Sequence, residues 1–243
     1  MLILEATDII WVMIKASFLI ILACSISCSS YRTQSKGPET SNNTVSIQAN
    51  NEKDLYEIFD QITDTKVIEL KNRIYNLDKP LILNNLSHIT INGNGAVLVL
   101  DSLVNDVVEL NRCHNVTIDN IKALHKEVDG PVGCTGNVIL INGGSNITII
   151  NSELNGCGVV GVTAYNSINL KIISNYIHKN THYPIIYDGP SVTIKDNIFE
   201  NNGNQNKIAY MAGSPWPPLQ FFNTNVTTKE LIIEGNTFGG SQN

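Results

Sequence analysis

The chain is 243 residues long, 42% hydrophobic and 16% charged, with a formal net charge of -6. That composition excludes a disordered chain and suits one soluble domain with a sizeable core. Mild acidity leaves no phosphate-binding footprint and argues against a nucleic-acid partner. An acidic polysaccharide stays open, because local basic residues can outweigh a small net charge.

Residues 9–23 are apolar except for Lys15 and Ser17. A bilayer span needs about 20 apolar residues, and Lys15 divides this run. From Met13, which could be the true start, the order is one cation, a short apolar core and then small residues, as in a signal peptide over 1–28. Cys24 follows Ile-Leu-Ala, and Cys28 sits in Ser-Ile-Ser-Cys-Ser-Ser. This arrangement resembles a bacterial lipoprotein signal. The resemblance implies lipidation of Cys28 or Cys24 and an exported protein held in the cell envelope, at the outer membrane or in the periplasm. The competing readings are an ordinary cleaved signal and an uncleaved anchor. Residues 29–50 are polar and aperiodic, and read as a linker.

Residues 51–63 place Leu55, Ile58, Phe59 and Ile62 on one helical face, with Asn50 or Asn51 as the cap and Glu52 and Asp54 in the first turn. From residue 64 the pattern changes to short alternating strands, first around Val67, Ile68 and Leu70, then at Leu81 and Leu83. An apolar–x–apolar triplet starts at Ile89, Val116, Ile147, Leu170, Val192 and Leu231, and repeats after 23 and then 22 residues at its most regular. Such a period marks stacked units that bury a core only against one another. The expected fold is therefore all-β: a single-stranded right-handed parallel β-helix of about six or seven coils over 64–243, capped by the helix. With coils about 4.8 Å apart it makes a rod roughly 30 Å long.

Five residues beyond each triplet start lie Asn94, Ser152, Asn175, Asn197 and Asn236, with Ile121 breaking the column. Asparagines stacked at a bend can satisfy turn amides and carbonyls coil after coil. A second strand precedes each triplet. A constant six-residue offset sends Val108, Leu110, Ile139, Ile141, Val162, Ala164 and Ile186 inward, and Asn111, Asn142, Tyr165 and Tyr187 outward. Stacked tyrosines at 165 and 187 would form either a sugar-binding strip or a cross-strand pair. Cys134 and Cys157 fall in one column, continued by Asn180 and Asn202. They read as a thiol ladder, a disulfide or two metal ligands. No spacing resembles a zinc site, Cys113 looks structural, and no cofactor is implied.

Two coils carry insertions, 125–133 and 203–222. Loops of this length on a solenoid more often carry function than connection. The register brings His125, Lys126, Glu127 and Asp129 towards His178, Lys179 and Glu200, with His182 nearby. His125, His178 and Glu200 are thus the catalytic candidates, because proton abstraction or glycoside cleavage needs a paired acid and base. The competing reading is a solvated polar corner. Lys126, Asp129, Tyr165, Lys179, His182, Tyr187 and Trp216 are the substrate-binding candidates. Trp216, between prolines, could stack on a sugar or pin its own loop.

The phrases NITIINSELNGCG, NLKIISNYIHKN and SVTIKDNIFENN resemble the pectate-lyase-like superfamily, in its carbohydrate-binding and sugar-hydrolase type of repeat, over residues 64–243. The resemblance implies the β-helix and a polysaccharide partner, with lyase or glycoside hydrolase-like chemistry if the protein is an enzyme. One such scaffold hosts many functions. The Asn-Thr-Asp-Gly, Asp-Asp, Gly-His-Gly and Arg-Ile-Lys motifs of polygalacturonase-like enzymes are missing, as is the Asp-Pro-His-Glu of alginate epimerases. Nor is there an acidic cluster like the calcium site of pectate lyases, so no catalytic residue carries over. The expectation is an exported, membrane-anchored monomer that binds or processes a polysaccharide. Its rival is a noncatalytic surface scaffold or adhesin.

Overall fold

The computed structural model describes residues 45–126, 134–156, 158–210 and 230–240. Parallel strands wind into a β-solenoid of about six turns. Each turn contributes up to three rungs, and we call the three faces A, B and C in the order in which the chain visits them. Face A holds Leu81–Asn84, then residues 108–111 and 139–142, Val160–Tyr165 and Tyr183–Asp188. Face B stacks Lys66–Leu70, 89–92, 116–119, 147–150, Ile168–Ile173, Ser191–Lys195 and Glu230–Glu234. Face C stacks Ile74–Leu77, 97–100, 122–125, Glu153–Asn155, Tyr176–His178 and Ile198–Glu200.

Alternation with period 2 sends one residue in two to the interior. On face B the pairs Ile89/Ile91, Val116/Ile118, Ile147/Ile149, Leu170/Ile172 and Val192/Ile194 are buried. On face C the inward column includes Leu98, Ala123, Leu154, Ile177 and Phe199. Each Leu, Ile or Phe so buried contributes about 1.5–3 kcal/mol of burial free energy.

The helix forms at Glu52–Gln61, and the Asn51 side chain caps it by accepting from Asp54 N–H at 2.9 Å. It buries Leu55 and Phe59, and Ile58 and Ile62 pack partly buried against the same core. The strand Val45–Ala49 precedes it and pairs in parallel with Lys66–Leu70. This corrects the linker boundary at residue 50. The segment Val-Ser-Ile-Gln-Ala already carries the alternation, and Ala49 is buried.

The corner between faces B and C is a two-residue bend entered through a left-handed residue: Asn120, Asn151, Ser174, Asp196 and Gly235 all have φ between 51° and 66°. The next residue builds the ladder. Ser152 N–H donates to Asn175 Oδ1, Asn175 N–H to Asn197 Oδ1 and Asn197 N–H to Asn236 Oδ1, each at 2.9 Å. Ile121 N–H donates to Ser152 Oγ at 3.2 Å, so the apolar break still has its amide satisfied. Asn94 does not stand in this column. Two extra residues bulge at Asn94 and Gly95, so Ala96 sits opposite Ile121. A second buried ladder, Asn180–Asn202–Asn206, runs at the corner between faces C and A.

Face A departs from the constant offset at one coil. Six residues separate Ala164 from Leu170, but only five separate their partners Tyr187 and Val192. The slip turns Ile185 and Tyr187 inward, leaves Ile186 half-buried, and seats Asp188 rather than Tyr187 beside Tyr165. Tyr187 is thus a core residue whose hydroxyl takes the Ser191 N–H at 3.1 Å and lies 2.8 Å from the Ser167 carbonyl oxygen. The expected tyrosine strip does not exist.

Candidate ligand-binding site

The corner expected to carry chemistry is assembled on face C. Lys122, Glu153 and Tyr176 stack in one outward column, and Leu124, Asn155, His178 and Glu200 in the next. Lys122 Nζ lies 2.8 Å from Glu153 Oε1, and His178 Nε2 lies 3.0 Å from the same oxygen. The His178 ring stacks on Tyr176 at 3.9 Å, and Tyr176 Oη–H donates to Glu200 Oε2 at 2.5 Å. Burial pushes the His178 imidazole below its ordinary value, with the hydrogen bond and charge of Glu153 opposing it. Burial raises the Glu153 carboxyl, but the hydrogen bonds and charges of Lys122 and His178 more than offset this and hold it low. The hydrogen bond to Glu200 pushes the Tyr176 phenol up to about 12. Every acid here already holds a partner.

His125 does not join this group. It follows the outward Leu124, so the alternation turns it to the interior, where it pairs in register with Leu100, is fully buried and places Nε2 2.7 Å from the Asn105 carbonyl oxygen. Burial lowers its pKa too. A small cavity of about 220 Å³ lies beside it, lined by Lys122, Leu124, Asn155, Gly156 and Lys179. Lys126 pairs with Asp101 at 2.9 Å. Lys179 and His182 are exposed, and the His182 carbonyl accepts from Asn204. Cys134 is buried; Cys24, Cys28, Glu127, Asp129, Cys157 and Trp216 lie outside the described residues. Cys113 is buried in the core, as expected, with Sγ 3.4 Å from the Leu83 carbonyl oxygen.

A different corner, between faces A and B, holds a larger cavity. Three successive turns there read Arg112-Cys113-His114, Gly143-Gly144-Ser145 and Asn166-Ser167-Ile168. The middle coil has no side chain at Gly143 where its neighbours carry Arg112 and Asn166, and the surface is hollowed there, while Gly144 lies in register with the buried Cys113 and Ser167. Gly144 is obligatory: its φ is +98°, and a Cβ there would stand 1.9 Å from the Cys113 carbonyl oxygen. The result is a cavity of about 670 Å³ lined by Arg112, His114, Asn142, Ser145, Asn166 and Ile168 around the glycine pair. His114 Nδ1 and Ser145 Oγ share a hydrogen bond of 2.9 Å across two coils. Asn166 is 8% exposed, and its side-chain oxygen has no hydrogen-bond partner. The signal available in the sequence was NGGSN aligned between NRCHN and YNSIN.

Face A adds one more group missed from sequence. Asp188 is fully buried, neither carboxyl oxygen has a partner, and burial raises its pKa. Beside it, burial followed by the charges of Asp188 and Asp106 raises the half-buried Tyr165 phenol.

Residues 87–242 match the profile of a family described as a right handed beta helix region. The chain belongs to the right-handed β-helix family. No curated protein and no solved structure matches it. In this right-handed β-helix the strands make the frame, so binding groups must be sought where coils differ from one another, as they do at the notch.

Proposed function

We propose that this right-handed β-helix binds a polysaccharide, seating it in the notch at Gly143 and Gly144. We also propose that the protein is exported and tethered in the bacterial cell envelope through a lipid on Cys28 or Cys24. The observation that carries the binding reading is the notch itself: a cavity of about 670 Å³ whose wall offers a guanidinium, an imidazole, a hydroxyl and two carboxamides. Ligand sites commonly enclose about 300–1,000 Å³ and orient their ligand with a few convergent polar groups. The amide and hydroxyl groups suit sugar hydroxyls, and Ile168 gives a sugar ring an apolar edge to rest on.

Binding without cleavage is the better-supported form of this reading. Cleavage needs an acid and a base free to exchange protons with substrate. Glu153 and Glu200 instead accept from Lys122, His178 and Tyr176, and no carboxylate among the described residues lines the notch. The test is incubation of the purified protein with uronate-containing and neutral polysaccharides. Retention on a polysaccharide with no new chain ends is expected. New unsaturated or reducing ends would overturn binding without cleavage, and no retention on any polysaccharide would overturn the reading as a whole. A mass measurement on membrane-extracted protein tests the tether: unmodified Cys24 and Cys28 would contradict it.

A further inference from the structure

We propose that the last described rung of face B, Glu230–Glu234, is a docking edge for an extended peptide strand of another protein, apolar at alternate residues and basic at both ends. This surface stands apart from the polysaccharide reading. The rung Ser191–Lys195 separates it from the Ile168–Ile173 strand at the notch.

The two ends of the solenoid differ. At the first end the helix Glu52–Gln61 packs Leu55 and Phe59 onto the core. At the other end, among the described residues, Glu230–Glu234 pairs on one side only, with Ser191–Lys195. The register sets Leu231 and Ile233 level with Val192 and Ile194, which point inward and are 2% and 0% exposed. Leu231 and Ile233 are 46% and 44% exposed, and Phe238, level with the buried Phe199, is 52% exposed. Three large apolar residues at core positions therefore meet solvent, as at an interaction surface.

The main chain is equally open. In a parallel ladder alternate residues bond to opposite neighbours. Glu230 N–H donates to the Pro190 carbonyl at 2.9 Å, and the Glu234 carbonyl accepts from Asp196 N–H at 3.1 Å. The N–H and C=O of Leu231 and Ile233 consequently face the uncovered side. The asparagine ladder stops there too: Asn236 Oδ1 takes the Asn197 amide, but the Asn236 amide has no acceptor among the described residues. An added strand supplies partners for these groups, with pockets for its alternate side chains.

Charge decides the occupant. Residues 230–240 carry Glu230 and Glu234 and no basic residue. Glu234 pairs with Lys195 at 2.7 Å, whereas Glu230 has no ion pair among the described residues. A second copy docked antiparallel about Ile232 would set each Glu230 opposite a Glu234, and like charges directly opposite destabilise a strand pair. Charged ends of this kind keep an edge from pairing with itself. A strand with Lys or Arg at both ends turns the same two positions into cross-strand ion pairs.

The experiment titrates the full chain with two synthetic peptides of alternating valine and threonine, one ending in lysines and the other in glutamates. Amide NMR and hydrogen exchange are the readouts. The lysine-ended peptide should bind about tenfold or more tighter, and loosen with salt. It should shift the amides of Leu231, Ile233 and Asn236 and slow exchange at the first two. Glu230→Lys, at an exposed outward position, should cancel or reverse the preference, and Ile233→Asp should abolish binding of both peptides. A preference untouched by Glu230→Lys overturns the charge match, and binding of neither peptide overturns the proposal. Slow exchange at Leu231 and Ile233 without peptide would mean that the protein's own chain covers the edge. Dimerisation lost in Ile233→Asp would mean that a second copy does. Either result overturns the proposal.

Discussion

The face C corner and the Gly-Gly notch hold similar residue types in opposite states. At the corner Glu153 takes Lys122 and His178 Nε2 at 2.8 and 3.0 Å and Glu200 takes the Tyr176 hydroxyl at 2.5 Å, so both carboxylates hold donors, while His178 Nδ1 is buried without a partner. At the notch Arg112 forms no ion pair with a described residue, and no described carboxylate lines the cavity. Carboxylates that already hold donors are poorly placed to exchange protons with a substrate. The corner braces three coils, and the notch is left with capacity for a ligand.

The comparison can be broken most forcefully at Gly144. Replacing it with Ala puts a Cβ against the Cys113 carbonyl at a left-handed φ, and should cost about 3 kcal/mol or more, read by chemical denaturation. A loss under about 1 kcal/mol would mean that the turn relaxes, and that the notch is not fixed by its backbone.

At the corner, Glu153→Ala removes the acceptor of the nearly buried His178 N–H and of Lys122. We expect a loss of about 1–2 kcal/mol in unfolding free energy with polysaccharide affinity unchanged. A variant of unchanged stability but lost affinity would reverse the roles assigned to the two regions.

Smaller effects come from titration. Burial depresses the folded-state values of His125 and His178. Their contribution to stability is therefore present above the ordinary histidine value and lost as pH falls through the lower folded values. His125→Leu, at a core position, should flatten the fall in melting temperature between about pH 7 and about pH 5. An unflattened profile would place the acid sensitivity elsewhere. Asp188 has the opposite sign. Its raised folded value favours stability at low pH, and that contribution is lost as pH rises through it. Asp188→Asn should therefore stabilise the protein at neutral pH by about 1 kcal/mol, and a destabilised variant would show that the carboxylate has a use in the folded state.

What the sequence made legible was whatever repeats. The triplets gave the face B register, the asparagine column predicted the ladder from Ser152 to Asn236, and the helical stripe gave the cap around Leu55 and Phe59. Illegible were departures of one or two residues. In a structure of period 2, a single deleted turn residue sent Tyr187 inward and Asp188 beside Tyr165. The bulge at Asn94 and Gly95 moved that asparagine out of its column. The coil register brings His125 to the same corner as His178, although strand alternation turns one inward and the other outward. The notch was hidden for another reason: it is made by side chains that are absent, and a search for reactive residues passes over Gly143 and Gly144.

The central claim, that ligand meets this protein at the notch rather than at the corner, is tested most directly by an amide NMR titration of the full chain with an oligogalacturonate. The account predicts the largest shifts at the amides of Arg112, Gly143, Gly144, Ser145 and Asn166, with those of Lys122, Asn155, His178 and Lys179 unmoved. Shifts concentrated at the second group, with the first unmoved, would contradict it.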